Sequence, residues 1–195
     1  MNQWWQMWCS YFPVDQCQKI IELGSNLAAE DGSIGHGGLS SLNKDSRRSK
    51  VRWFNRGNEE YQWIFRQLEN SFQFANVNAF NFDLTYFREI QFTEYDESYE
   101  GKYDWHEDCT WCRNHPTRRK LSICVQLSDP ATYEGGNLEL NTDQLGGEDQ
   151  TPDAEQLRQQ GTTMVFPSFP RHRVTPVTAG KRYSLVSWYE GPPFR

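Results

Sequence analysis

Apolar residues recur at helical spacing twice in the first half of the chain and at alternate positions several times in the second. Cys17, Ile20, Ile21, Leu27 and Ala28 fall on one helical face after Asp15, which forms a capping-box pattern with Gln18. Tyr61, Ile64, Phe65, Leu68 and Phe72 form a second stripe, with Asn58 as its N-cap and Glu59 and Glu60 at the positive end of the helix dipole. Such a stripe needs a sheet to lie against. From Phe80 the period becomes two: Phe80, Phe82, Leu84 and Tyr86 alternate with Asn81, Asp83 and Thr85, which predicts extended structure as far as Tyr95. Lys120 to Leu127 alternates as well, with Leu121, Ile123, Val125 and Leu127 on one face and Ser122, Cys124 and Gln126 on the other. If the apolar face meets the helices, the small, polar face lines a wet cavity; an ordinary surface strand reads the same way.

The densest patterning lies in residues 161–189. Val174 and Val177 flank Pro176, and Thr178, Ala179 and Gly180 read as a turn, so the segment predicts a strand, a reversal and a neighbouring strand. On the second strand Arg182, Ser184, Val186 and Trp188 share a face. An arginine there is costly inside a barrel unless an anion meets it. Elsewhere, Trp4, Trp5, Trp8, Tyr11 and Phe12 predict an opening strand pinned to the core, and Ser46 to Phe54 predicts a strand with basic residues before it. Residues 31–38 form a glycine-rich loop, 133–140 a glycine turn entering a strand, and 141–160 a polar loop with one helical turn. With no internal repeat or long linker, residues 1–195 read as a single domain. Residues 1–78 supply strand and helix support, and 79–195 a β core carrying the site.

A chain of 195 residues can bury a core without metal or disulfide support. Its formal net charge of -6 argues against nucleic acid or an anionic membrane surface as the main partner. The five cysteines are odd in number and scattered, which fits reduced thiols, and no run approaches the roughly 18 apolar residues of a membrane span. The opening residues also lack a positive region followed by an aliphatic core, so a cytoplasmic protein is expected.

His106 and Asp108 are two apart, so an extended backbone points both to one side and turns Glu107 away. His172, on a strand distant in sequence, can close the set. Two imidazoles and one carboxylate leave other positions on a metal open, as non-haem Fe(II) needs to bind a co-substrate and oxygen; hydrolytic zinc can use the same donors. Arg182 separates these readings, because its planar fork suits a carboxylate and it follows His172 by ten residues, across one expected hairpin. Lys181 is the competing cation, but neighbouring strand residues face opposite ways. Cys109 and Cys112 form an isolated pair without a second pair of ligands and read as structural or incidental, and His36 and His115 read as loop residues.

In these residues the chain resembles the 2-oxoglutarate- and Fe(II)-dependent dioxygenases of the prolyl 4-hydroxylase type, close to the PKHD-type hydroxylases of bacteria and phages. The similarity runs from the helix after Asp15 to Trp188. It is densest at His106-Glu107-Asp108, at Asp129-Pro130 with Gly135-Gly136, and from Phe166-Pro167-Ser168 through Arg182. The resemblance implies one dioxygenase domain, mainly β with supporting helices: a double-stranded β-helix (jelly roll, cupin-like) with the N-terminal helices packed on its larger sheet. It implies Fe(II) held by His106, Asp108 and His172, and 2-oxoglutarate on the iron with its distal carboxylate at Arg182. Tyr95 resembles the family's tyrosine on the strand entering the iron loop, and is implied to hydrogen-bond the co-substrate. Family chemistry uses O2, with ascorbate as reductant, to convert 2-oxoglutarate to succinate and CO2 and to hydroxylate the substrate. Trp105, Trp111 and Arg118, with Arg113 and Arg119, lie in or beside the loop after the ligands, where they could grip an extended peptide or form an ordinary rim. The first expectation is prolyl (4-)hydroxylation of a proline-containing peptide or protein. The alternatives are a hydroxylase of a free amino acid or other small molecule, and a catalytically silent jelly-roll binding module. Nucleobase demethylation fits so acidic a chain poorly.

Overall fold

The computed structural model describes residues 3–34, 41–109, 111, 116–142 and 150–194. Its strands are β1 (Gln6–Trp8), β2 (Glu30–Asp31), β3 (Arg47–Arg48), β4 (Lys50–Phe54), β5 (Tyr86–Asp96), β6 (Lys102–His106), β7 (Arg118–Gln126), β8 (Tyr133–Gly135), β9 (Leu138–Leu140), β10 (Thr163–Pro167), β11 (His172–Val174) and β12 (Val177–Gly191). Its α-helices are α1 (Val14–Ser25), α2 (Gln62–Ala75) and α3 (Ala154–Arg158). The larger sheet runs β1-β10-β7-β12-β5-β4-β2, with β8 added against β12, and the smaller runs β3-β6-β11-β9. Every pairing is antiparallel. Two such sheets, with helices on the larger one, form the expected double-stranded β-helix.

The main core lies between α1, α2 and the outer face of the larger sheet. The predicted stripe of α2 is buried there, Ile64, Leu68 and Phe72 completely, against Phe87, Leu121, Ile123 and Val125. Each such side chain contributes roughly 1.5–3 kcal/mol by leaving water. The alternation of β7 therefore decides what faces inward: its apolar residues meet the helices, and Ser122, Cys124 and Gln126 turn toward the space between the sheets. Gly24 lets α1 come close, since a Cβ there would lie 2.6 Å from the Phe92 ring.

Asn58 caps as expected, its Oδ1 accepting the Glu60 N–H at 2.9 Å, and a 3-10 turn (Glu59–Tyr61) leads into α2. Asp15 does not cap α1. That helix opens after Pro13 without a side-chain cap, leaving Asp15 in the first turn, where it can act only through the dipole. Nor does extended structure begin at Phe80. The chain leaves α2 by a π-helical turn (Asn76–Phe80), Asn81 takes a left-handed conformation with φ 51°, and the Asn76 amide bonds both backbone groups of Phe82. Alternation there records Phe80 reaching the core from a turn; the strand starts at Tyr86.

The stretch expected as one strand from Ser46 to Phe54 divides at Ser49, β3 joining the smaller sheet and β4 the larger. The reversal expected at 178–180 is absent. Thr175 and Pro176 carry the chain from one sheet to the other, and Gly180, at φ 70°, lies within β12 beside β8. His172 and Arg182 therefore do not share a hairpin; they stand on different sheets. Strands from residues 1–78 enter both sheets, and the helical turn expected within 141–160 is α3.

Candidate active site

The space between the sheets is a cavity of about 1340 Å³. His106, at the end of β6, lies opposite His172, at the start of β11, and their rings are 4.2 Å apart. Asp108 follows β6 in irregular chain. Its carboxylate approaches His172 Nε2 at 3.4 Å and His106 Nε2 at 3.8 Å, and one donor atom from each of the three residues lies within 4.8 Å of the others. Among the described residues this is the one such group of three.

The orientation of both imidazoles follows from their neighbours. His106 Nδ1 is 2.8 Å from the Asp104 carbonyl and His172 Nδ1 is 3.1 Å from the Pro170 carbonyl. A carbonyl can only accept, so in the neutral rings Nδ1 carries the proton and Nε2 presents its lone pair to the cavity. Tyr103 stacks on His106 with centroids 3.5 Å apart, and the Arg47 guanidinium covers Tyr103 at 4.4 Å.

Burial, reinforced by neighbouring His172, lowers the His106 pKa to about 3. For His172, burial pulls the same way, but the charge and hydrogen bond of Asp108 outweigh it and leave the value above the ordinary 6.5. Burial opposes ionisation of Asp108 too; the two imidazoles and Arg119 nevertheless hold it well below the usual carboxylate range. Two imidazole nitrogens and an ionised carboxylate, gathered at one spot and leaving one side open to a cavity, are suitable donors for a divalent iron.

Arg182, on β12, is 2% exposed, and its Nε and Nη1 have no hydrogen-bond partner. Buried guanidinium donors without an acceptor are costly, and the planar fork fits a carboxylate. Tyr95 is its Cα partner on β5, with the guanidinium 5.6 Å from the ring centroid, and Cys124 lies against it. Lys181 turns the other way, to Asp96 at 2.7 Å.

Of the residues singled out in the sequence, His106, Asp108, His172, Arg182, Tyr95, Trp105, Trp111, Arg118 and Arg119 line this cavity, and Arg113 lies outside the described residues. Trp111 is 59% exposed, with its indole N–H on Glu107, while Trp105 is partly buried beneath the Arg173 guanidinium. Arg118 is largely buried and donates to the Thr117 carbonyl. Arg119, expected at the rim, lies 3.6 Å over the Trp188 ring, whose buried Nε1 lacks an acceptor. Sequence reasoning missed two contributors: Tyr103 packs on His106, and Ser122 donates to Asp108 at 2.7 Å. Ser122 was marked as cavity-facing by alternation, but only the fold brings Asp108 to it. Cys109 is a buried free thiol, its pKa pushed by burial to about 11, whereas Cys112, His36 and His115 lie outside the described residues.

A jelly roll carrying two histidines and an aspartate on one face of its cavity has the architecture and donor set of a non-haem iron oxygenase. The chain belongs to the 2OG-Fe(II) oxygenase superfamily, whose family model matches residues 90–190. It is 43% identical over 89 residues to a PKHD-type hydroxylase of Synechococcus sp. (strain CC9605), an alignment covering 45% of this chain and 36% of the relative. It is also 37% identical over 73 residues to one of Hyphomonas neptunium (strain ATCC 15444), covering 37% and 30%. The matched stretch thus spans about a third of these relatives' lengths. Among solved structures, the viral collagen prolyl hydroxylase of Paramecium Bursaria Chlorella virus-1, in a 2OG complex, superposes with a TM-score of 0.68 at 18% identity, covering 97% of both chains. A Trichoplax adhaerens prolyl hydroxylase in complex with a hypoxia inducible factor peptide fragment gives 0.73 at 15% identity, covering 96% of this chain and 84% of that one. At such identities these two likenesses establish the shared fold.

Proposed function

We propose that the protein is a 2-oxoglutarate- and Fe(II)-dependent oxygenase that hydroxylates proline in a peptide or protein, with ascorbate as its reductant. The observation that carries the reading is the pairing of two needs in one cavity: a three-donor face and, on the other sheet, a buried Arg182 fork with unpartnered donors. His106, Asp108 and His172 would hold the iron. With 2-oxoglutarate and O2, bound iron supplies the oxidising power that replaces a substrate C–H by C–OH and yields succinate and CO2. The chain does the positioning. Nδ1–H bonds to carbonyls keep both Nε2 atoms available, Arg182 receives the far carboxylate of the co-substrate, and Tyr95 borders that carboxylate.

Two observations support an extended substrate. The cavity exceeds the roughly 300–1,000 Å³ typical of small-ligand pockets, and its lining includes exposed Trp111 and part-buried Trp105, suited to a peptide flank. The fit of the fold to two prolyl hydroxylases supports proline as the residue modified. Mass spectrometry tests this after incubation with Fe(II), ascorbate, 2-oxoglutarate and proline-containing peptides, with free amino acids alongside. A gain of one oxygen on peptidyl proline with succinate formed in step is expected. Oxygen on a free amino acid alone would replace the peptide substrate, and absence of succinate from iron-loaded protein would leave a binding module.

A further inference from the structure

Asp108 differs from its two partners in having no strand beneath it. His106 and His172 are fixed by their pairing across β6 and β11, whereas Asp108 and Cys109 both hang by their backbone N–H groups from the Ser168 carbonyl, at 2.9 and 2.8 Å. Ser168 is itself held by its N–H to the Lys120 carbonyl at 3.0 Å. Its hydroxyl lies 2.9 Å from that of Ser122, and Ser122 lies 2.7 Å from Asp108 Oδ2. Both serines have no solvent exposure.

The direction of this chain of hydroxyls is fixed by proton count. An ionised carboxylate only accepts, so Ser122 gives its single proton to Asp108, and Ser168 must give its own to Ser122. Each bond polarises the next, strengthening the grip on Oδ2. Oδ1 lies 3.8 Å from His106 Nε2, and Oδ2, besides its bond from Ser122, lies 3.4 Å from His172 Nε2.

We propose that Ser122 and Ser168 are positioning residues that hold Oδ2 of Asp108 and so fix the carboxylate beside the two imidazoles in one orientation for the metal. This rests on the metal-site reading above and deepens it. A carboxylate in an irregular segment can swing and take two positions on an ion. Pinned to the larger sheet, it keeps one orientation, which would hold the other positions on the ion free for co-substrate and oxygen.

The test is Mn(II) titration of the metal-free full chain, with thermal melting, for wild type, Ser122→Ala, Ser168→Ala, the double variant and Ser122→Thr. Ser122→Ala is expected to lose about 10- to 100-fold in Mn(II) affinity while the metal-free melting temperature stays near wild type. Ser168 acts through Ser122, so its variant should lose less, and the double variant no more than Ser122→Ala. Ser122→Thr, which keeps the hydroxyl, should recover most of the affinity; if Ser122→Ala does not fold, Ser168→Ala and Ser122→Thr still carry the comparison. Wild-type affinity in both alanine variants, additive losses, or losses that merely follow the melting temperature would overturn the relay. Failure of the wild-type chain itself to bind Mn(II) would overturn the metal-site reading, and the relay with it.

Discussion

The two ends of the cavity solve opposite problems. At the metal end, ring N–H groups meet carbonyls and the aspartate meets a serine, so the donors are held in place by the protein itself. At the arginine end, a guanidinium 2% exposed keeps Nε and Nη1 without partners. The donors of the first end are already satisfied by protein groups; the buried guanidinium of the second carries a desolvation penalty that the proposed carboxylate would relieve. Order at one end is supplied by the chain. At the other, buried donors are left without partners, as the proposed binding of a carboxylate requires.

The largest effects should separate the ends. His172→Ala should abolish Mn(II) binding and succinate formation, whereas Arg182→Ala should keep the metal and lose about 10- to 150-fold in 2-oxoglutarate affinity, with Arg182→Lys between it and wild type. Calorimetric titration of each variant with each ligand reads both, and loss of metal from the Arg182 variants would merge the two ends into one.

Next in size is the pH dependence of the metal end. His106, with a pKa of about 3, stays neutral, but His172, raised above 6.5, gains a second proton below its raised value, which a bound metal would have to displace. Mn(II) affinity should therefore fall as pH drops through the raised value of His172, beginning above pH 6.5 and approaching about tenfold per unit, one proton being displaced. A steeper slope would bring His106 into the titration. A flat profile from pH 8 to 5 would remove His172 from the site.

Smaller in effect is the gain expected on removing the unpaired charge. Arg182→Met keeps much of the buried stem and discards the orphan donors, so the ligand-free protein should gain about 1–3 kcal/mol, read as a rise of roughly 2–10 °C in melting temperature. A lower melting temperature would mean that the guanidinium is already satisfied without ligand. The smallest effect belongs next door. Burial works against the Asp96 charge, yet the hydrogen bonds from Lys181 and Ser98 keep its pKa below 3.8. Its contribution is thus present above the unfolded value and lost as pH falls through the folded one. Because Lys181 is half exposed, Lys181→Ala should cost only about 0.2–1 kcal/mol in chemical denaturation and leave 2-oxoglutarate affinity unchanged.

Sequence periodicity was informative wherever one face decides burial. The α2 stripe and the β7 alternation each sort residues onto two faces, and the helices packed on the apolar face of β7 settle which residues look inward. It was blind to which sheet a strand joins. Arg47 and Lys50 are three residues apart on opposite sheets, and His172 and Arg182 were expected across a hairpin although Thr175 and Pro176 separate their sheets. Local alternation also misread 80–85, because a π-turn closed by the Asn76 amide can bury Phe80 as well as a strand can. His106, Asp108 and Arg182 stood out by residue type and spacing. Ser122 and Ser168 did not: 46 positions apart, small and common, they acquire meaning only when β7 and the end of β10 converge on Asp108.

Strand β12 bonds to β5 on one side and β7 on the other over most of its length, with β8 added near its start. Its amide protons lie in the middle of the sheet, so they should be among the slowest to exchange with solvent, opening only in large-scale unfolding. Arg182 rides on that strand. Its backbone is paired with Tyr95 of β5 before any ligand arrives, so capture of the proposed carboxylate should carry little ordering entropy, leaving more of the contact free energy to appear as affinity.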